Sequence, residues 1–210
     1  MKGKMALATA LATLVTVGGV YATWTFAESN ASSANTTVNV AMTGVNATTE
    51  KGTLSVRVMG TNGFTLAVDD ADSNHKPDIK KTGVVTVTFT PSSSASTAIQ
   101  SSGIDVQCVI SYAPYNGGPA TLDAWTYDNS QIFDIENDST DPILLSKSAA
   151  TYDSTTNTFK WVIEADDIGI DLTSDLQAKD IDTLDKYNAL NAELAKGHFV
   201  LTVSEYVATP

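Results

Sequence analysis

Period-2 alternation of apolar and polar residues recurs along this chain, and it restricts the fold more than any other feature. Val38, Val40 and Met42 share one face of such a run, and Leu54, Val56 and Val58 share a face of the next, between Gly52 and Gly60. Phe64, Leu66 and Val68 follow Gly63, and Val85, Val87 and Phe89 alternate with Thr86, Thr88 and Thr90 as far as Pro91. The pattern returns at Val106, Cys108, Ile110 and Tyr112, then at Phe159, Trp161 and Ile163, and last at Phe199, Leu201 and Val203. A strand with one buried and one solvated side needs this arrangement. Shorter candidates stand at 124–127, 132–135 and 143–145, and Gly, Pro, Asn and Asp clusters separate the runs. About eight to ten strands are therefore expected, which predicts an all-β fold, a β-sandwich or jelly roll.

One segment departs from this pattern. Between Asp180 and Lys196, the residues Leu184, Tyr187, Leu190 or Asn191, and Leu194 recur at helical spacing. Asp180, Asp182 and Asp185 favour a helix start, and Lys196 followed by Gly197 resembles a helix end. One amphipathic helix is thus expected before the last strand, lying as a lid on an open edge or end of the sandwich. Ser92–Ser102 is low in complexity and reads as a mobile loop.

The N-terminus carries an export signal. Lys2 and Lys4 precede an uncharged run, Met5 to Val17, and Gly18-Gly19 would break a helix there. That run holds roughly a dozen residues, whereas a membrane span needs about 20. Val20-Tyr21-Ala22 suits cleavage between Ala22 and Thr23, and a second cut site follows Ala27. The expected organisation is a signal peptide over 1–22, a flexible arm over 23–36 and a sandwich domain over 37–210. The arm begins with Trp24 and Phe26 alternating with Thr23 and Thr25, a strand pattern in search of a surface. The expected location is outside the cell, with only transient membrane contact through the leader.

Charge and cysteine content narrow the partners. The chain has a net charge of −12. Removing Lys2 and Lys4 with the leader leaves 10 basic against 24 acidic side chains, a net charge of −14. Nucleic acid and anionic membranes are poor partners for such a surface. Cys108 is the single cysteine, so no disulfide forms within the chain, and its place on an apolar strand face marks a small buried hydrophobe.

Asp70, Asp72 and Asn74 have the D-x-D-x-N spacing that aims three oxygens at one hard cation, with Asp78 as a further oxygen. His75 and Lys81 occupy positions where an EF-hand needs Gly and Glu, so the choice lies between a looser calcium loop and an exposed acidic turn, and the turn is favoured. Glu136, Asp138 and Asp141, and Glu164, Asp166, Asp167 and Asp171, are weaker acidic clusters. The two histidines, His75 and His198, form no zinc motif, and His198 is expected at the surface. No nucleophile motif is present, so an enzyme is not expected, and no cofactor beyond that calcium. Trp125, Tyr127, Tyr112 and Tyr115 suit either a carbohydrate platform or, the favoured reading, core packing, and Trp161 is assigned to the core. Asn30, Asn35, Asn46 and Asn137 open sequons that serve only as loop markers.

The leader junction, Val17-Gly18-Gly19-Val20-Tyr21-Ala22-Thr23-Trp24-Thr25-Phe26, resembles that of the TasA/camelysin family of bacterial matrix proteins. The amphipathic helix with Lys186-Tyr187 and Leu190, followed by the strand Phe199–Val203, is similar as well. The resemblance covers both ends of the chain, while the middle matches only as an all-β run. It implies cleavage after Ala22 by a SipW-type signal peptidase and a jelly-roll subunit of extracellular biofilm-matrix fibres. It also implies self-assembly by donor-strand exchange, with other matrix proteins as further partners. The assembly arm would then include Trp24, Phe26, Val38 and Val40. Some camelysin-like proteins are described as metallopeptidases, but this chain carries no zinc motif to match. The alternative is a monomeric secreted or cell-surface binding module for carbohydrate or a surface ligand.

Overall fold

The computed structural model describes residues 22–23, 37–49, 51–59, 65–69, 76–115 and 118–207. In chain order the first strands are β1 (Ala22–Thr23), β2 (Thr37–Val45), β3 (Ala47–Thr49), β4 (Gly52–Met59), β5 (Thr65–Asp69), β6 (Asp78–Thr82), β7 (Val84–Pro91) and β8 (Val106–Pro114). Then follow β9 (Thr126–Tyr127), β10 (Ser130–Gln131), β11 (Phe133–Ile135), β12 (Ile143–Leu145), β13 (Thr151–Asp153), β14 (Thr158–Glu164), β15 (Ile170–Leu172) and β16 (Gly197–Glu205). The α-helices are α1 (Thr97–Ser102), α2 (Ser174–Gln177) and α3 (Leu184–Leu194).

The strands form the expected all-β sandwich. One sheet has seven strands in the order β12-β8-β16-β2-β5-β6, with β1 attached to β2. The other has five, in the order β13-β14-β7-β4-β3. The alternating runs supply the inner faces, with Val85, Val87 and Phe89 of β7, Phe159, Trp161 and Ile163 of β14, and Phe199, Leu201 and Val203 of β16 all buried. The two sheets approach closely at Gly44, where a Cβ would lie 2.5 Å from Val56 Cγ1. β16 and β2 run parallel, while the other described pairings are antiparallel. The first long strand and the last therefore lie side by side.

Helix α3 covers one end of this sandwich as expected, although it is shorter than the Asp180–Lys196 segment. Thr183 caps it, its Oγ1 accepting from Lys186 N at 3.3 Å, and Asp182 and Lys186 form an ion pair at 2.7 Å one turn apart. Tyr187, Leu190 and Leu194 face inward and are buried. Beneath them lies an aromatic cluster in which Trp125 is 4.5 Å from Tyr112, 5.1 Å from Phe133 and 5.8 Å from Phe199, ring centre to ring centre. Trp125 Nε1 donates to Glu193 O at 2.6 Å and Tyr127 Oη donates to Lys186 O at 3.2 Å. The helix is thus pinned by one aromatic side chain near each end.

Several local expectations need correction. Ser92–Ser102 is not simply a loop, because Thr97–Ser102 forms α1, with Ser96 Oγ accepting from Ile99 N at 3.4 Å and Ile99 packing on the core. A serine-rich run reads as a loop in composition, yet the serine before a helix is its best cap. The strand expected at 124–127 is a 3₁₀ turn over Leu122–Ala124 followed by the two-residue β9. Asp128 and Asn129, at φ of 48° and 62°, then turn the chain into β10, a tight hairpin with positive φ at both central residues. Short strands β3, β6, β13 and β15 form where no alternating run was evident, because their pairing is supplied by the neighbour and not by their own pattern.

Candidate assembly site

Strand β2 is flanked unevenly, and this defines the site. On one flank, β5 pairs with Thr37–Ala41. On the other, β16 pairs with Met42–Val45. The register sets Phe199 opposite Met42, so β16 begins at Gly197, level with Val40. The Thr37–Asn39 stretch of that flank therefore lies beyond the start of β16. A strand flank left in this way offers backbone N–H and C=O groups to any further strand. Ala22–Thr23 takes this place within the chain itself, with Ala22 opposite Val38 and Thr23 opposite Thr37. The residues on either side of the expected cut are the ones that pair.

The other expected arm residues divide between described and undescribed parts. Val38 and Val40 sit in β2, opposite Val68 and Leu66 of β5. Trp24 and Phe26 lie outside the described residues, as do most of the leader, the remainder of the arm, and the calcium candidates Asp70, Asp72 and Asn74. Asp78 opens β6, and its Oδ1 accepts from Ile79 N at 2.7 Å. Among the described residues, no group of three or more His, Cys, Asp or Glu side chains is placed to hold a metal ion.

In the second acidic cluster, the Asp138 carboxylate closes a turn. Asp138 Oδ1 accepts from Thr140 N and Thr140 Oγ1, both at 2.7 Å, and these bonds hold its carboxyl below the usual range. Asn137 Nδ2 donates to Ile168 O at 3.0 Å, so the nitrogen of that sequon serves the fold, and Asn46 Oδ1 accepts from Val56 N at 2.9 Å.

Of the aromatic candidates, Trp125 and Tyr127 are core residues, and Trp161 is buried too, its Nε1 donating to Ser146 O at 2.8 Å. Tyr112 packs inward on Trp125, and burial, then Tyr115 and Glu193, push its hydroxyl up to about 12. His198 differs from expectation. It is half-buried, stacked on Tyr115 at 4.6 Å, and burial lowers its pKa. Cys108 is fully buried as expected, and burial pushes its thiol up to about 12, which keeps it neutral.

Arg57 is a residue that motif reasoning passed over. It is the single arginine of the chain, and it stands exposed on the outer face of β4. The lysines with described side chains each lie within 4.0 Å of a carboxylate, as with Lys81 and Asp171 at 2.9 Å. Arg57 has no such partner among the described residues. Its uniqueness is the signal that could have drawn notice.

Comparison with known proteins finds no matching family model, no matching curated protein and no matching solved structure.

Proposed function

We propose that the chain is an exported structural subunit, neither enzyme nor nucleic-acid binder, that polymerises outside the cell into matrix fibres. Its N-terminal arm would add to the β2 flank of a neighbouring copy. The observation that supports this most is the β1–β2 pairing, because it occupies a strand flank that β16 leaves unserved. A flank that accepts two residues of its own chain accepts the same backbone from another chain, and strand addition supplies main-chain hydrogen bonds with little demand on sequence. The resemblance of the leader junction to that of the TasA/camelysin family points the same way.

Cleavage after Ala22 would remove one of the two paired residues and free the arm from its own sheet. The leader would then act as a block on early assembly as well as an export signal. The distinguishing experiment is negative-stain electron microscopy of the protein as secreted, without matrix components added. Long filaments of uniform width are the expected result. Isolated particles at every concentration would favour the monomeric binding module instead.

A further inference from the structure

The outer face of the five-stranded sheet carries two charges of opposite sign that have no partner among the described residues, and their positions are related in a way that suits a two-fold contact. The register places Arg57 of β4 beside Thr86 of β7, and Thr86 beside Val162 of β14. Ser55, Thr88 and Lys160 form the adjacent row on one side, and Met59, Val84 and Glu164 form the row on the other. Val162 is 60 % exposed although β-branched and apolar. Lys160 is neutralised by Asp153 at 3.2 Å. Arg57 and Glu164 are both exposed, and neither has a side-chain hydrogen bond or ion pair among the described residues. In a protein of net charge −12, an arginine with no ion pair among the described residues, while every lysine with a described side chain holds a carboxylate, is a ready site for an acidic group of another molecule.

Strand spacing and residue rise put the backbones of Arg57 and Glu164 about 12 Å apart along the sheet, diagonally across β7. That is too far for an ion pair within one copy. A two-fold axis parallel to the sheet, crossing β7 between Thr86 and Val84 at right angles to the line from Arg57 to Glu164, exchanges the two positions. It would set each copy's Arg57 over its partner's Glu164 and bring the two Val162 side chains near each other on one side of the ion pairs.

We infer that this face is a contact between two copies of the chain, packed sheet on sheet and held by two reciprocal Arg57–Glu164 ion pairs with the two Val162 side chains packed beside them. The covered area is roughly 500 Å² per copy from the strand dimensions, against about 800 Å² per partner in a stable complex. The contact is therefore weak in solution and gains strength where copies are already arrayed. It does not depend on the arm, since β1 and β2 belong to the other sheet.

The test is sedimentation velocity on the full 210-residue chain, comparing the parent with Arg57→Glu, Glu164→Arg and the double exchange Arg57→Glu/Glu164→Arg. The parent should shift from monomer to dimer as concentration rises towards about 0.5 mM, and the shift should shrink on going from about 0.05 M to about 0.5 M salt. Each single exchange should weaken association about tenfold or more, by placing like charges together, and the double exchange should restore it to within about threefold. A parent that stays monomeric throughout overturns the proposal. So does dimerisation that ignores both single exchanges, or one that the double exchange fails to restore. Filament formation through the arm would stand or fall separately, because the double exchange leaves residues 22–45 untouched.

Discussion

Replacing Trp125 with Ala should remove about 4 kcal/mol of stability, the largest loss expected from a single substitution in this chain. Its indole is fully buried, at 0 % exposure, and touches Tyr112, Phe133 and Phe199. Aromatic pairs at these distances contribute beyond the area they cover. The Nε1 bond to Glu193 O adds a second role, because it ties the last turn of α3 to the cluster through a carbonyl that also accepts from Lys196 N at 3.0 Å. Truncation would therefore open a cavity and unseat the C-terminal end of α3 together. Trp125→Phe should keep most of the packing and lose about 1 kcal/mol through the missing hydrogen bond. Urea unfolding followed by far-ultraviolet circular dichroism measures both. An alanine variant within about 1 kcal/mol of the parent would mean that α3 is not anchored on this cluster.

A methyl group at Gly197 should be nearly as damaging, at about 3 kcal/mol. A Cβ there would fall 2.0 Å from Tyr112 Oη and 2.2 Å from Tyr112 Cε2. The tyrosine cannot easily retreat, since its ring lies against Trp125 at 4.5 Å. Nor can the backbone, which pairs Gly197 with Pro114 at the head of the longest ladder in the sheet. Gly197→Ala should lower the melting temperature by several degrees, roughly 2–4 °C for each kcal/mol in a chain of this size. Combining it with Tyr112→Ala should recover part of that loss relative to Tyr112→Ala alone, because the clash disappears with the ring. A strictly additive double variant would show that space against Tyr112 is not what requires glycine here.

Gly197 also shows where reading the sequence fails. Lys196-Gly197 has the form of a helix end, but α3 ends at Leu194 with Ala195 in right-handed conformation, and Gly197 is already the first residue of β16. The glycine is needed for room and not for its backbone freedom. A partner 85 positions away in the chain, Tyr112, sets that need, and no local pattern can reveal it. The long strands were legible for the opposite reason. Each of β4, β7, β8, β14 and β16 buries one face against the same core, so burial imposes its period of two directly on the residues. Edge strand β6 was hidden because its sequence, Asp78-Ile79-Lys80-Lys81-Thr82, looks like a charged loop. Lys81 shares the face of Ile79, and it is accommodated there by its ion pair with Asp171. The candidate assembly site was half legible. The order of charge, apolar run and small residues leads one to expect a junction at Ala22–Thr23, but the flank it pairs with follows from the register of β16 on β2, which no local pattern records.

The central claim is that the arm joins one copy to the next. Its most direct measurement is electron microscopy of the mature protein from which residues 23–36 have been deleted, beside the undeleted mature protein under the same conditions. The sandwich should be unaffected, with an unchanged circular dichroism spectrum and a cooperative melt, because the core residues with described side chains, from Met42 onward, all lie outside the deleted segment. The undeleted protein should form filaments, and the deleted one should remain as single particles at every concentration. Filaments of normal width and length from the folded, arm-deleted protein would contradict the account.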